Sequence, residues 1–252
     1  MRIRVGTSGF AYKEWKGSFY PKGFKDAGML AYYAERFETV EINNTFYRMP
    51  KPELLLKWAA DTPEHFAFVL KAPQKITHIK KLEDCAPEVE YFLKSAESLG
   101  KKRGPILFQL PPWMKKDLGK LERFLALLPE GTRTAFEFRH ATWFDDETYA
   151  LLKQRHATLA ASETDEKTGE FGPPVLPTTE WGYFRLRRTD YKEADLKAWI
   201  ERIRQQPWSE AWIFFKHEDE GNAAVLASSL RGLLGQACLP PERDHKTGVL
   251  VP

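Results

Sequence analysis

Eight short segments rich in β-branched and aromatic residues recur along the chain, spaced by about thirty residues, the size of one strand–helix unit. They cover 3–7, 39–43, 66–71, 105–110, 134–139, 157–162, 182–187 and 211–216. Amphipathic helical patterns fill most of the gaps. Asp26 precedes a stripe of Leu30, Tyr33, Ala34 and Phe37 at i, i+3, i+4, i+7 spacing. Pro52 suits the first turn of a helix carrying Leu55 and Trp58. Asp84 is placed to cap a helix with Tyr91, Phe92 and Leu99 that Gly100 stops. Asp117 opens a helix with Leu121, Phe124, Leu125 and Leu128, ended by Pro129. Asp145 and Glu147 favour the first turn of the next, which runs to Arg155 and His156. Leu196, Trp199, Ile200 and Ile203 mark a helix over 193–206, and Asn222 starts the last, with Val225, Leu226, Leu230 and Leu233.

Strands alternating with helices imply parallel strands joined by right-handed crossovers, and eight of them imply closure into a single (β/α)8 TIM barrel. The length of 252 residues fits one such domain. We expect the barrel to occupy 1–239, with a Pro-rich polar tail over 240–252. One unit departs from the pattern. Gly169, Gly172, Pro173, Pro174 and Pro177 leave no room for a helix between strands six and seven, so a long irregular loop is expected over 163–181. The rival architecture, a doubly wound open sheet, usually carries a Gly-rich phosphate turn after its first strand. Gly6-Thr7-Ser8-Gly9 lacks that spacing, and the chain has no P-loop, nucleophile elbow or zincin helix.

Such barrels carry their chemistry at the C-terminal ends of the strands. Those ends are polar here. Glu41 and Asn43 close the second segment, Lys71 the third, Gln109 the fourth, and Glu137 and Arg139 the fifth, with His140 after them. Ser162 and Glu163 close the sixth, Arg185 and Arg187 with Arg188 the seventh, and Lys216 and His217 the eighth. Residues two apart share a face of a strand, so Glu41 goes with Asn43, Glu137 with Arg139, and Arg185 with Arg187. Phe136 and Phe138 suit the outer, helix-packed face, which turns the polar set inward. Arg48, Lys75 and His78 from the following loops add to a cation excess. The bland alternative is a set of structural ion pairs, Glu41 with Lys71 and Glu137 with Arg139, plugging the barrel.

The net charge is only +3, so an anionic partner has to be recognised by this local patch and not by the whole surface. Arginine forks match phosphate and carboxylate. Tyr12, Trp15, Phe46, Tyr47, Trp113 and Trp143 lie in the same loops and suit base or sugar stacking, although packing is the simpler role for any one ring. Glu41, His78, Glu137, His140, Glu163 and His217 could supply oxygen and nitrogen to a divalent metal. They show no short ligand spacing, so no cofactor is expected and a metal is the lesser alternative. Two distant cysteines, Cys85 and Cys238, and an N-terminus without an apolar core predict a cytoplasmic protein.

The motifs Gly6-Thr7-Ser8-Gly9-Phe10, Phe19-Tyr20-Pro21, Val40-Glu41-Ile42-Asn43-Asn44-Thr45-Phe46-Tyr47 and Phe68-Val69-Leu70-Lys71 follow one another in order. So do Ile76-Thr77-His78, Leu107-Phe108-Gln109-Leu110-Pro111-Pro112, Phe136-Glu137-Phe138-Arg139-His140 and Tyr183-Phe184-Arg185-Leu186. This set resembles the YecE-like family, a microbial group filed as a domain of unknown function, over nearly the whole chain. The resemblance implies a TIM barrel and brings no established reaction. This sequence departs from the family at Arg187-Arg188, where His-Gly is frequent, and at Lys216-His217, where Asn-Asn is frequent.

The leading expectation is a barrel that binds a phosphorylated or nucleic-acid-derived anion at its mouth, with hydrolase chemistry on a phosphoester. Glu41 or Glu137 would be the general base, and Lys71 an electrostatic stabiliser, acid or nucleophile. Asn43, Arg48, His78, Gln109, Arg139, His140, Arg185 and Lys216 would hold the ligand. The alternatives are a non-catalytic nucleic-acid-binding module and an isomerase or lyase acting on a sugar or carboxylate metabolite.

Overall fold

A computed structural model describes residues 1–163, 174–216 and 221–236. Residues 164–173, 217–220 and 237–252 lie outside the described residues, and with them His217, the expected tail over 240–252 and part of the expected loop over 163–181. The strands are β1 (Arg2–Thr7), β2 (Thr39–Ile42), β3 (Ala67–Lys71), β4 (Arg103–Gln109), β5 (Thr134–Glu137), β6 (Ala157–Ser162), β7 (Trp181–Leu186) and β8 (Glu210–Phe215). All pair in parallel, in the order β1-β8-β7-β6-β5-β4-β3-β2. The ring closes between β1 and β2 through a parallel bridge of Ser8 with Glu41, where the Gly9 N–H donates to the Glu41 carbonyl at 2.7 Å. Gly6 permits that closure, because a Cβ there would sit 2.2 Å from the Thr39 carbonyl oxygen. The eight segments read from sequence are therefore the eight staves of a TIM-like barrel.

The helices are α1 (Met29–Ala34), α2 (Asn44–Tyr47), α3 (Pro52–Ala60), α4 (Ala86–Glu97), α5 (Leu118–Leu125), α6 (Asp146–Gln154), α7 (Glu193–Arg204) and α8 (Asn222–Leu233). Asp117 opens its helix as expected, accepting from the Lys120 amide at 2.9 Å, while Asp145, expected in the first turn of α6, sits one position earlier as its cap and accepts from the Thr148 amide at 3.0 Å. Asp84 does not cap α4. It adopts φ 45° within a run that also bends Lys81 and Leu82 to positive φ, and Cys85 takes the cap position. The stripe after Asp26 begins as a 3-10 turn and becomes α-helical only at Met29. Of the connection between β6 and β7, the described part, 174–180, contains no helix.

Alternation along the strands builds two apolar zones. Outward residues such as Val40, Ile42, Phe68, Phe108, Phe136, Phe184 and Ile213 pack under the helices. Inward residues Ala67, Val69, Leu107, Ala135, Ala160, Trp181, Tyr183, Trp212 and Phe214 fill the lumen. Below them, at the N-terminal end, Glu210 accepts from Arg4 at 2.8 Å and Arg133 at 2.7 Å, and Arg133 stacks 4.6 Å from the Trp181 ring. Among the described residues no helix is long and apolar enough to cross a membrane.

Candidate functional site

Above the apolar lumen, at the C-terminal ends of the strands, the inward positions become polar. Arg185 on β7 sits at the centre with 0 % exposure. Its Nε and Nη2 donate to the two oxygens of Glu41 at 2.9 and 2.8 Å, a fork-on-fork pair across the lumen to β2. Its Nη1 donates to Glu137 on β5 at 2.6 Å. One guanidinium thus holds both buried carboxylates. Glu41 also accepts from Ser8 Oγ and Tyr183 OH, each at 2.6 Å. Glu137 also accepts from Gln109 Nε2 at 2.8 Å and Arg187 Nη2 at 3.1 Å.

Burial alone would push both carboxyls up, but Arg185 outweighs it and holds both below the usual carboxylate range. The two glutamates are therefore ionised, enclosed and fully engaged. The pairing differs from the bland pattern read from sequence: Glu41 meets Arg185 and not Lys71, and the partners of Glu137 are Arg185 and Arg187 and not Arg139.

Lys71 is the exception to this pairing. It is 7 % exposed at the end of β3. Nζ donates to Gln109 Oε1 at 2.7 Å and lies 3.9 Å from the centroid of the Phe46 ring. Its ion-pair partners among the described residues are none, since the nearest polar group is a neutral amide. Desolvation, helped by the charges of Arg185 and Lys216 and opposed by Glu137 and Glu41, lowers its pKa to about 7. The α2 turn is fastened over it, because Thr45 Oγ1 donates to the Lys71 carbonyl at 2.6 Å. Phe46 stands edge-on to the His78 ring at 4.9 Å. Desolvation, Lys71 and Arg139 together lower the His78 pKa, so that imidazole is kept neutral beside the cations.

Among the buried polar atoms at this end, Asn43 Nδ2, Ser162 Oγ and Arg187 Nε have no hydrogen-bond partner among the described residues. All three can donate. Arg139 is half-buried and has no ion-pair partner among the described residues, and it lies close enough to Arg187 to lower that guanidinium's pKa, after desolvation and Arg185. Lys216 lies close enough to Lys71 to act on it.

Two of the ligand-binding residues chosen from sequence fall elsewhere. Arg48 is exposed and lines a separate groove of about 430 Å³ on the far side of α2, with Tyr47, Lys51 and Trp58. His140 is turned to a local task, its Nδ1 accepting from the Thr142 amide at 3.2 Å to cap a 3-10 turn. Conversely, Ser8 and Tyr183 complete the shell of Glu41 without having been singled out as site residues. Tyr183 was readable by period two from Arg185, while Ser8 reaches Glu41 only through barrel closure. Of the loop aromatics, Trp15 and Trp143 are fully buried packing residues, whereas Tyr47 is 73 % and Trp113 56 % exposed. Among the described residues no group of three His, Cys, Asp or Glu is arranged to hold a metal ion.

Comparison with known proteins agrees with this architecture. A family model described as "Protein of unknown function DUF72" matches residues 4–247. UPF0759 protein YunF of Bacillus subtilis is 30 % identical over 230 residues, covering 86 % of this chain and 79 % of that protein. UPF0759 protein YecE of Escherichia coli is 36 % identical over 116 residues, 46 % of this chain; the match spans only 43 % of YecE, less than half its length. A crystal structure of a DUF72 family protein from Thermotoga maritima superposes with a TM-score of 0.84 at 29 % identity, covering 93 % of this chain and 100 % of that one. A second, from Enterococcus faecalis, gives 0.76 at 19 % identity over 94 % and 98 %, a likeness of fold alone.

Proposed function

This chain belongs to the DUF72 family, whose function is unknown, and from that premise we propose that its barrel mouth binds a small phosphorylated or otherwise anionic ligand. The observation that carries this reading is the trio of buried, unpartnered donors, Asn43 Nδ2, Ser162 Oγ and Arg187 Nε. A buried donor without an acceptor costs about 1–3 kcal/mol. Each of the three can donate to an oxygen of an anion, and two of them, an amide N–H and a guanidinium N–H, have nothing to offer a cation. The charge balance agrees. Glu41 and Glu137 are engaged by Arg185 and Arg187, while Arg139 and Lys71, which act electrostatically on Arg187 and on the same cluster, have no ion-pair partner among the described residues.

Glu41 and Glu137 are not the bases of this proposal, because guanidinium and hydroxyl donors occupy their oxygens. They fix Arg185, and Arg185 with Arg187 sets the field. Lys71 is the group able to exchange a proton near neutral pH. Titration calorimetry with inorganic phosphate tests the reading. Binding that weakens about tenfold or more in Arg187→Gln supports it, by the loss of a charge-assisted pair of bonds. Absence of phosphate binding at low salt refutes it.

A second reading extends the ligand to a single nucleic-acid strand, favoured by the exposed Trp113 and Tyr47 rings and by Lys81, whose Nζ lies 5.0 Å from the Trp113 ring. A 5′-phosphorylated oligonucleotide would then bind more tightly than phosphate, with an affinity falling steeply as salt rises. Equal affinity for the two leaves the small anion as the ligand.

A further inference from the structure

The reaction available at this mouth depends on which group keeps a usable lone pair. Activating water against a phosphoester takes a base, and both carboxylates are saturated by donors. His78 Nδ1 is engaged with Thr77 Oγ1 at 2.9 Å, and its neutral ring is an imidazole, which does not condense with a carbonyl to a C=N bond. Lys71 differs from all of these in being a primary amine. Its buried amine is positioned by a single amide acceptor and by an aromatic face, with no carboxylate at ion-pair distance among the described residues, and desolvation outweighs the pull of Glu137 and Glu41 toward the ammonium form. An amine desolvated beside other cations is the arrangement that makes lysine a nucleophile toward carbonyl carbon.

We infer that the ligand is an anionic carbonyl compound, an oxo acid or a phosphorylated aldehyde or ketone, and that Lys71 Nζ forms an imine with it. The inference rests on the anion reading above and adds the electrophile. The Nζ lone pair attacks the carbonyl carbon, and the C=O π pair moves to oxygen, which takes up the proton released from nitrogen. The resulting carbinolamine takes a further proton from solvent on its hydroxyl and loses water, leaving an iminium, a protonated C=N bond to Nζ. Carbonyl, amine and one proton give iminium and water, with no change of oxidation state. That iminium is a cation near Arg185, Arg187 and Lys216, and the negative group of the ligand offsets its charge. This is why an anionic carbonyl compound fits the mouth and a neutral one does not. Donors for the anion are the unpartnered Asn43, Ser162 and Arg187 atoms.

Pyridoxal 5′-phosphate, an aldehyde carrying phosphate, serves as the probe. The full chain is treated with limiting reagent, reduced with borohydride and mapped by peptide mass spectrometry. The expected result is a reduced adduct on Lys71 whose yield rises through about pH 7 and falls about tenfold when inorganic phosphate competes in excess. Lys71→Arg, checked for folding by circular dichroism, keeps the charge and loses the adduct. If that variant does not fold, trapping of pyruvate on the wild-type Lys71 with cyanoborohydride replaces it, and no pyruvate adduct there counts against the imine. An unlabelled Lys71 in a chain that still binds phosphate overturns the carbonyl inference and leaves the anion reading standing. Labelling of Lys71 that phosphate does not suppress overturns the anionic substrate class and the anion reading with it. Neither labelling nor phosphate binding overturns both.

Discussion

Replacing Arg185 by leucine removes the cation that two enclosed carboxylates share. At a charge separation of about 4 Å and an effective dielectric of 20, each pair is worth about 4 kcal/mol of attraction. Removing the guanidinium also removes its desolvation cost, so the net loss is about 3–5 kcal/mol, the range for breaking a buried pair from one side. Glu41 suffers most, since only the hydroxyls of Ser8 and Tyr183 remain to it, while Glu137 keeps Arg187 and Gln109. The loss depends on pH with a definite sign. In the native protein the folded carboxyl pKa values lie below the unfolded ones, so the stabilisation is present above the unfolded value and disappears as pH falls through the folded ones. Without Arg185, burial pushes Glu41 up, and the penalty vanishes below the unfolded pKa and grows as pH rises. The difference between Arg185→Leu and wild type should therefore be near its full size at about pH 7 and much smaller at about pH 4. Equilibrium urea unfolding, followed by tryptophan fluorescence at both pH values, measures it. A neutral-pH difference below about 1 kcal/mol, or one that does not shrink on acidification, refutes the shared-cation account.

Gly6→Ala should cost about 2–3 kcal/mol or more, because its Cβ meets the Thr39 backbone where the ring closes; unchanged thermal stability would contradict that closure. Cys85 is fully buried and its thiol is pushed up to about 11 by burial first, so a thiol reagent at about pH 8 should leave it unmodified until the protein unfolds, as read by peptide mapping. His156 holds φ 50° after α6, and His156→Gly should raise stability by about 1 kcal/mol by relieving the left-handed strain. A lower melting temperature in that variant would show that the imidazole does more than end the helix.

What could be read in advance follows the range of the interactions involved. Period two told which strand residues face the lumen, because the aromatic face of β5 has to pack under helices, and Glu137 is inward as that requires. The helix start at Asp117 depends on three residues and is equally plain, and the acidic start of α6 is readable to within one position, with Asp145 as the cap and not in the first turn. Asp84 was misjudged because the preceding turn goes through positive φ at Lys81 and Leu82, which no residue type there announces. The ion-pair partners were hidden for a different reason. Which inward side chains meet across a barrel is set by strand tilt and stagger, so Arg185 reaching β2 and β5 at once is a property of closure and not of any segment. The same holds for Ser8, joined to Glu41 only by the β1–β2 seam. Arg48 lines a groove with Met49, Pro50 and Trp58, a placement that depends on how α2 and α3 pack and not on the residues around it.

The shared guanidinium also sets a timetable. Glu41 and Glu137 leave the ribosome well before residue 185, and neither can give up its water until that arginine arrives. Fragments that end ahead of β7 therefore keep both carboxylates without the guanidinium that they share, and truncation before residue 185 should leave chains that do not bury Glu41 and Glu137.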